Sequence, residues 1–413
     1  MLGTLDSTKP SASIIGGGVS GLLIAHALAK RGWVIDMHEA SDRFGGMIQT
    51  QVTSQGIVEN AAHSLLASEE VELLFHELGL KLMPLKNKER FILRNHRLKR
   101  MPLSLREGFF LLIRFVFSRS HREGTVENWA RHRLGEPALN YLVKPFLRGI
   151  YAARPHELSM QAVFPAPKKR PKKRLKMNPK KREMKAPEFG MQSLIDALVT
   201  VLKKNTRVSL HLNSTVTELP TGAVNTIMTT PAPVSARLIQ SRFPDLALSL
   251  EKIQYAPLIT ATVFYRSEDC SHKIKGVGVL IPEVEADYRV LGILFNSSSF
   301  DGRSKDGSVS FTVMLGGTSH PEYLDLNDAE LSQIIDEDLK KILNINAKPS
   351  SVTITRWKNA IPLYNDALLE TWTVAQNAFQ NNAGVVLFSN YTGQVSIRGL
   401  IESLAVLPFD KIK

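Results

Sequence analysis

The first forty residues alternate between apolar runs and a glycine-rich turn in a pattern that predicts a parallel β–α–β unit. Residues 12–15 form a short apolar run typical of a buried strand, and three glycines follow it. Apolar residues then recur at helical spacing over 19–31, and residues 33–38 alternate like a second strand. Because a helix joins them, we expect the two strands to lie side by side in one parallel sheet.

The later pattern predicts a helix, a helical region and then a second sheet. Residues 68–80 have the spacing of a helix, with Ser68 as a suitable N-cap. Residues 103–165 are mostly helical in pattern, whereas apolar, β-rich runs recur between turn signals from 257 to 315. These runs predict an antiparallel sheet. The last predicted elements are a helix over 323–346, a strand over 384–388 and a helix near 397–406.

Composition places the chain among globular proteins. Its 413 residues are 43% apolar and 22% charged, which allows two or three domains. The only cysteine, Cys270, excludes an internal disulfide and a cysteine-rich zinc site, and it suits a reducing compartment. No apolar run approaches the roughly 20 residues of a membrane span. The first ten residues lack the pattern of a signal peptide.

The net charge of +13 is concentrated in two segments. Residues 168–185 carry +10 and residues 86–133 carry +9, so the remainder is mildly acidic. The 168–185 segment contains prolines and few large apolar residues, which predicts a solvated, largely disordered loop. Such a loop either keeps the protein soluble or binds anionic lipid, acidic substrate or nucleic acid. It lacks interleaved aromatic residues, so we expect no nucleic acid partner.

The glycine-rich turn predicts a dinucleotide site. The G-x-G-x-x-G motif consists of Gly16, Gly17, Gly18, Val19, Ser20 and Gly21. It lies between a predicted strand and helix, where glycines allow a tight turn and close approach to a pyrophosphate. Glu39, at the end of the second strand, can accept hydrogen bonds from ribose hydroxyls, and its charge would repel a 2′-phosphate.

A second glycine pair favours FAD over NAD. Glu39 is followed by Arg43 and then by Gly45, Gly46 and Met47. This E-x-x-x-R-x-G-G pattern resembles that of the flavin-containing amine oxidase superfamily. The chain further resembles the protoporphyrinogen oxidase family over about residues 11–404. The stretches that carry this likeness are 90–91, 144–152, 158–165, 189–194, 276–282, 316–317, 357–364 and 389–403.

The resemblance implies the remaining cofactor contacts. They are Asn60, Ala61, Ala62, His63, Val216, Trp357, Asn390, Val395, Ser396 and Ile397. Backbone N–H groups of residues 395–397 would face the flavin's N1/O2 edge, where a helix N-terminus favours the negative charge of reduced flavin. Residues 59–63 and Ser389 depart from the family's usual glycine-containing motifs, and the stretch 216–230 is too short for its usual hairpin.

The resemblance also implies an α/β fold with a three-segment, Rossmann-like FAD-binding domain and a β-sheet substrate domain. We predict the FAD domain over 11–80, 187–245 and 380–413, and the sheet domain over 246–379. A helical subdomain over 81–165 would contact substrate or membrane, and a basic loop would span 166–186. Residues 108–117 are apolar and flanked by arginines, so they predict either a helix in the membrane interface or a core helix beside the substrate.

The reaction that the resemblance implies is oxidation of protoporphyrinogen IX to protoporphyrin IX in haem synthesis, by hydride transfer to FAD. The flavin carries the chemistry, so we assign no catalytic side chain and no metal. Arg90 matches the basic residue that holds a substrate carboxylate; otherwise it is a solvated surface arginine. Arg94, Arg97, Lys99 and Arg100 are interpreted as surface charge.

Other functions and partners stay open at this point. Coproporphyrinogen III is an alternative substrate. Two further alternatives are another flavin oxidoreductase and a non-catalytic protein that binds flavin or porphyrin. The electron acceptor would be oxygen or a quinone. We expect a cytoplasmic protein, with an anionic membrane as a candidate partner at the inner face of the cell membrane.

Overall fold

The computed structural model describes residues 10–118, 123–165, 182–220, 225–270, 275–380, 384–405 and 407. The strands are β1 (Ser11–Ile15), β2 (Val34–His38), β3 (Thr50–Val52), β4 (Ile57–Glu59), β5 (Leu65–Ala67), β6 (Leu82–Pro84), β7 (Arg90–Arg94), β8 (Arg97–Lys99), β9 (Glu183–Pro187), β10 (Val208–His211), β11 (Thr226–Met228), β12 (Tyr255–Arg266), β13 (Gly278–Leu280), β14 (Gly292–Leu294), β15 (Ser308–Gly316), β16 (Ser351–Pro362) and β17 (Val385–Leu387). The α-helices are α1 (Val19–Ala29), α2 (Glu69–Glu77), α3 (Leu105–Phe117), α4 (Val126–Leu134), α5 (Glu136–Ala138), α6 (Lys144–Tyr151), α7 (Met160–Val163), α8 (Gln192–Lys203), α9 (Ala232–Ile239), α10 (Pro244–Glu251), α11 (Asn296–Ser299), α12 (Asp328–Leu343), α13 (Asp366–Gln380) and α14 (Ile397–Leu404). A π-helical turn, Leu139–Val143, joins α5 to α6.

A parallel sheet of five strands, in the order β10-β2-β1-β11-β17, forms the first layer. Its central pair, β1 and β2, is parallel as predicted, with Ser13 opposite Asp36. The helix α1 that joins them is buried along most of its length, because it packs against α8 and α14 in one core. The strands come from three separate stretches of chain, which agrees with the Rossmann-like fold expected from the glycine motif.

A second sheet has seven strands in the order β16-β12-β15-β14-β13-β7-β8. The predicted runs between 257 and 315 supply four of these strands, and they pair antiparallel. The sheet is nevertheless mixed, because β7 pairs parallel with β13. Strands β7 and β8 lie within the segment 81–165 that was expected to be helical, so that segment contributes a hairpin to this sheet.

One face of the seven-stranded sheet is covered by α12. Alternate residues of β12 and β15, such as Val263 and Phe311, form a core with Leu331 and Ile335 of that helix. Because successive side chains of a strand point to opposite faces, the intervening residues form the other face, on the side of Asn60. Asn60 contacts that second face through Thr260.

The end of the predicted basic loop is ordered, contrary to expectation. Residues 183–187 form β9, which lies between β5 and β6 in a three-stranded sheet. Lys185, within this strand, pairs with Glu72 of α2. The predicted disordered loop was wrong for this end, because β5 and β6, which are distant in the sequence, pair with its backbone. Residues 166–181, the rest of the loop, lie outside the described residues.

Helix α3 lies on the surface, and none of its residues is buried. The interpretation of 108–117 as a core helix is therefore wrong. Its first turn is held by a capping box between Ser104 and Glu107 and by a bidentate ion pair from Arg94 of β7 to Glu107, at 2.7 and 2.8 Å. These bonds to Arg94 hold the pKa of Glu107 down at about 2. Within the described residues, no helix has the length and apolar character needed to cross a membrane.

Candidate functional site

The glycines of the first turn have different structural roles. Gly16 has a φ of +106°, which few side chains tolerate, and a Cβ atom at residue 21 would lie 2.0 Å from the Gly16 carbonyl oxygen. These two positions need glycine for the turn and for packing of α1 on β1. At Gly18 the nearest atom to such a Cβ is the Cα atom of Gly46, 3.9 Å away. Gly18 therefore borders open space, which a bound phosphate group could fill.

The two glycine turns lie against each other. The Gly45 N–H donates to the Gly17 carbonyl oxygen at 2.8 Å, and Gly18 and Gly45 form a bridge. Arg43 holds the second turn, because its guanidinium donates to the carbonyl oxygens of Gly46 and Ile48. The structure thus brings both predicted motifs together in one backbone cradle at the N-terminus of α1.

Glu39 lies at the end of β2, next to the cradle. Its carboxylate accepts the N–H of Gly17 at 2.6 Å and both the N–H and the hydroxyl of Ser41, at 2.9 and 2.7 Å. These bonds fix the carboxylate beside the first turn while leaving it partly exposed. An anchored carboxylate at this position can accept hydrogen bonds from ribose hydroxyls.

The segment 59–63 links the two sheets. The carbonyl oxygen of Asn60 accepts hydrogen bonds from the Trp357 indole N–H at 2.9 Å and from the Thr260 hydroxyl at 3.0 Å. The Asn60 side chain bonds in turn to Gln49 and Gln51. Asn60 and Trp357, both predicted at the flavin, are therefore in contact. They fix the position of Ala61 and Ala62, two small residues that leave room for a close neighbour.

A buried ionic cluster lies directly beside this segment. The carboxylate of Glu59 accepts the Met191 N–H at 2.8 Å and the Thr50 hydroxyl at 2.7 Å, and its Oε1 lies 3.5 Å from Arg303 Nη1. Burial raises the pKa of Glu59 and lowers that of Arg303. Burial, together with the charge of Arg303, lowers the pKa of His63 to about 4. The imidazole of His63 is therefore neutral at pH 7.

The C-terminal predicted residues lie in the loop after β17 and at the start of α14. The carbonyl oxygen of Asn390 accepts the Tyr364 hydroxyl at 2.7 Å, which orients the loop after β17. Val216 and Val395 pack against one apolar core, and Ile397 begins α14 against the other. Ser396 caps α14 by accepting the Gly399 N–H at 3.1 Å. The first turn of α14 can therefore present free backbone N–H groups to a negatively charged ring edge.

The face of the seven-stranded sheet opposite α12 carries two rows of residues around central glycines, and α6 covers part of it, with Gly149 against Leu280. Strand register places Ile92, Leu280, Gly292 and Met314 in one row across four strands. The next row contains Arg90, Gly278 and Leu294. The large apolar residues of both rows are half-buried, and the two glycines at the centre carry no side chains that would project from the sheet. These rows suit an apolar ligand with an anionic group beside Arg90.

Arg90 is exposed at the end of these rows, apart from the predicted cofactor residues. Arg97, Lys99 and Arg100 are also exposed, as expected. Arg94 is not surface charge: it is half-buried, pairs with Glu107 and lies 4.1 Å from the centre of the Tyr141 ring. That interpretation was wrong because the sequence does not show which acid and ring the fold brings to Arg94.

Sequence reasoning missed Arg303 altogether. It is 4% exposed, and besides its approach to Glu59 it donates to the Pro187 carbonyl oxygen at 2.8 Å. No motif marked this residue. Glu59 is the one residue that could have indicated it, because a buried acid in the segment 59–63 requires a cationic or hydrogen-bonding partner.

A family model described as flavin-containing amine oxidoreductase matches residues 19–403, which is nearly the whole chain. The chain belongs to this family. It is thus a flavin-containing oxidoreductase, and the flavin is FAD, the dinucleotide that the motifs predicted. The cradle at Gly18 has the open space that FAD's diphosphate needs, and Glu39 lies where its ribose is expected, so these residues fit the cofactor.

Curated relatives and solved structures agree with this assignment. The chain is 28% identical to protoporphyrinogen oxidase 1 of Spinacia oleracea, with 94% of this chain and 82% of the relative covered. It is 24% identical to coproporphyrinogen III oxidase of Bacillus subtilis, over 87% and 89% of the two chains. The structure of reduced UDP-galactopyranose mutase superposes with a TM-score of 0.76 at 13% identity, covering 98% of this chain and 97% of that chain. That last likeness shows a shared fold.

Proposed function

We propose that this chain oxidises protoporphyrinogen IX to protoporphyrin IX in haem synthesis. The observation that carries the proposal is the pair of largely apolar rows on the seven-stranded sheet, with two central glycines and Arg90 at their exposed end. A tetrapyrrole is a broad, apolar ring that bears carboxylates at its edge, so it complements these rows. When bound, FAD accepts hydride from such a ring.

The chain's own residues would bind and orient the substrate. Ile92, Leu280 and Met314 would contact the ring and exclude water from it, and Arg90 would bind one carboxylate through two parallel N–H donors. The segment 60–62, held between Trp357 and Thr260, would keep the cofactor at a fixed position relative to the sheet.

Coproporphyrinogen III is a second candidate substrate, which the match to the Bacillus subtilis enzyme favours. The two substrates differ in carboxylate count. The apolar rows and the rim arginine favour the less charged protoporphyrinogen, because each additional carboxylate would need its own cationic partner. The test is whether each porphyrinogen, added without oxygen, reduces the bound flavin; faster reduction by coproporphyrinogen would make it the substrate.

We also propose that α3 attaches the protein to an anionic membrane, at the inner face of the cell membrane with the remainder in the cytoplasm. Phe109, Phe110, Leu112, Val116 and Phe117 are all more than half exposed, and Phe117 is 80% exposed. Several arginines accompany them: Arg106 lies beside Phe110 and Arg133 lies over Phe115. An apolar helix with basic flanks partitions into the interface of anionic lipid.

The protein is expected to sediment with vesicles that contain phosphatidylglycerol and to bind less as salt concentration rises, because salt screens its arginines. Phe110→Glu should lower the partition coefficient about 10-fold, since a buried phenylalanine contributes about 1.5 to 3 kcal/mol, part of which would be lost. Leu248→Glu, at an exposed leucine of α10, is the matched control and should bind like the wild type. Equal binding by the two variants would contradict attachment through α3.

A further inference from the structure

A small internal cavity lies beside the segment 59–63, between β4 and the seven-stranded sheet. Its volume is about 30 Å³, room for roughly two molecules the size of water. Apolar atoms form most of its wall, from Ile57, Met184, Val277, Leu294 and Phe300, and the ion pair of Glu59 and Arg303 lines it as well. The cavity is too small for a quinone ring.

Two side chains in the cavity wall, Arg303 and His63, have buried nitrogen atoms that make no hydrogen bond among the described residues, although Arg303 Nη1 lies 3.5 Å from Glu59 Oε1. Arg303 uses one nitrogen, Nη2, on the Pro187 carbonyl oxygen, but its Nε and Nη1 atoms are buried without a hydrogen bond. The Nε2 atom of His63 is likewise buried without one. Buried polar atoms that make no hydrogen bond cost free energy, so their presence together in one cavity wall points to a ligand.

The cavity has a route to solvent. Phe300 and Arg303 also line an outer, open cleft, together with Lys86 and Ser298. The same two side chains therefore separate the internal cavity from the outside. A small molecule needs only a displacement of the Phe300 or Arg303 side chain to pass between them.

We propose that this cavity is the chamber in which dioxygen accepts electrons from the reduced flavin, with Arg303 stabilising the negative charge that develops on oxygen. Apolar walls favour dioxygen over water, and a preorganised guanidinium in a water-poor site stabilises a developing anion strongly. Two electrons and two protons pass from reduced FAD and solvent to dioxygen, which yields oxidised FAD and hydrogen peroxide.

This inference rests on the proposed function only in placing residues 60–63 against the flavin. It takes oxygen, and not a quinone, as the electron acceptor. It does not depend on which substrate reduces the flavin. The reduced flavin can be prepared with dithionite, so failure of porphyrinogen oxidation and failure of this inference are separate outcomes.

The test mixes dithionite-reduced holoenzyme with dissolved oxygen and follows the return of flavin absorbance. Arg303→Gln should slow reoxidation by on the order of 100-fold, the effect of removing one preorganised donor from a site of developing charge. Its matched control is Arg289→Gln, at an arginine paired with Glu337 of α12, which should reoxidise at the wild-type rate. A soluble benzoquinone should reoxidise all three proteins at the same rate.

A second variant fills the cavity without touching its ionic groups. Met184→Trp should slow reaction with oxygen, whereas Leu248→Trp, at an exposed leucine of α10 that does not line the cavity, should not. Wild-type crystals under xenon pressure should show a xenon atom in the cavity, and Met184→Trp crystals should not. The proposal would be overturned if Met184→Trp reoxidised its flavin with oxygen at the wild-type rate. The same result in flavin-loaded Arg303→Gln would also overturn it.

Discussion

Replacing Gly18 by valine is expected to give a folded protein that purifies with less bound flavin than the wild type. Gly18 has a φ of −68° and no atom within 3.9 Å of a new Cβ, so the protein alone accommodates a side chain. That side chain would fill the space between the two glycine turns, where we place the diphosphate. Overpacking of this kind costs about 1 to 3 kcal/mol, which lowers FAD affinity roughly 5- to 150-fold.

The measurement is flavin absorbance per mole of purified protein, together with the thermal unfolding of the flavin-free forms. Gly108→Val is the control, because Gly108 also has no neighbour within 4 Å but lies in α3, far from the cradle in sequence. By contrast, Gly17→Ala should destabilise the protein itself, since its Cβ would lie 2.5 Å from the Phe44 ring. Full flavin content in Gly18→Val would show that the diphosphate binds elsewhere.

Replacing Arg90 by alanine is expected to raise the KM for protoporphyrinogen while leaving flavin content unchanged. A charge-assisted pair with a carboxylate contributes about 1.5 to 3 kcal/mol, so KM should rise roughly 10- to 150-fold. Flavin content should stay the same, because Arg90 lies at the rim of the sheet and not in the cradle. Steady-state oxidation of porphyrinogen at several substrate concentrations, followed by porphyrin fluorescence, measures the effect.

Arg97→Ala provides the matched control for Arg90. Arg97 is an exposed arginine on the neighbouring strand β8, and its replacement should leave the KM for protoporphyrinogen unchanged. An equal rise in both variants would mean that the basic segment attracts substrate through its overall charge. An unchanged KM in Arg90→Ala would remove Arg90 from the site.

Local features of the fold were predictable from the sequence because neighbouring residues determine them. The β–α–β unit follows from the spacing of apolar residues around the turn at Gly16, and α1 and β2 appear within two residues of their predicted bounds. The cofactor motif was equally local. Its glycines need no distant partner to define the turn, so the sequence alone indicated a dinucleotide.

Features that depend on distant partners were not predictable. The sequence pattern places Arg94 among several surface cations, but the fold brings Glu107 and Tyr141 to it. Arg303 is separated by 244 positions from Glu59, so no spacing rule connects them. The basic run that contains Lys185 was expected to be a loop, yet its end is a strand because β5 and β6 supply partners on both sides.

The fold gives the basic residues of the chain several different roles. The +13 of the chain arises from two basic segments. Within the first, Arg94 serves structure, Arg90 borders the apolar rows of the sheet, and the arginines near α3 accompany an exposed apolar helix. Basic residues in this region therefore suit a carboxylated substrate and an anionic lipid surface.

The central claim is that this flavoprotein oxidises a porphyrinogen, and anaerobic reduction of its flavin tests that claim most directly. Purified protein should show the absorbance of bound oxidised flavin, and protoporphyrinogen IX added without oxygen should bleach it. Porphyrin absorbance should appear once oxygen is admitted, because formation of the porphyrin removes six electrons and one flavin accepts two at a time. Arg90→Ala should need a higher concentration for the same bleaching. A protein that purifies with flavin, yet stays oxidised in the presence of both protoporphyrinogen and coproporphyrinogen, would contradict the account.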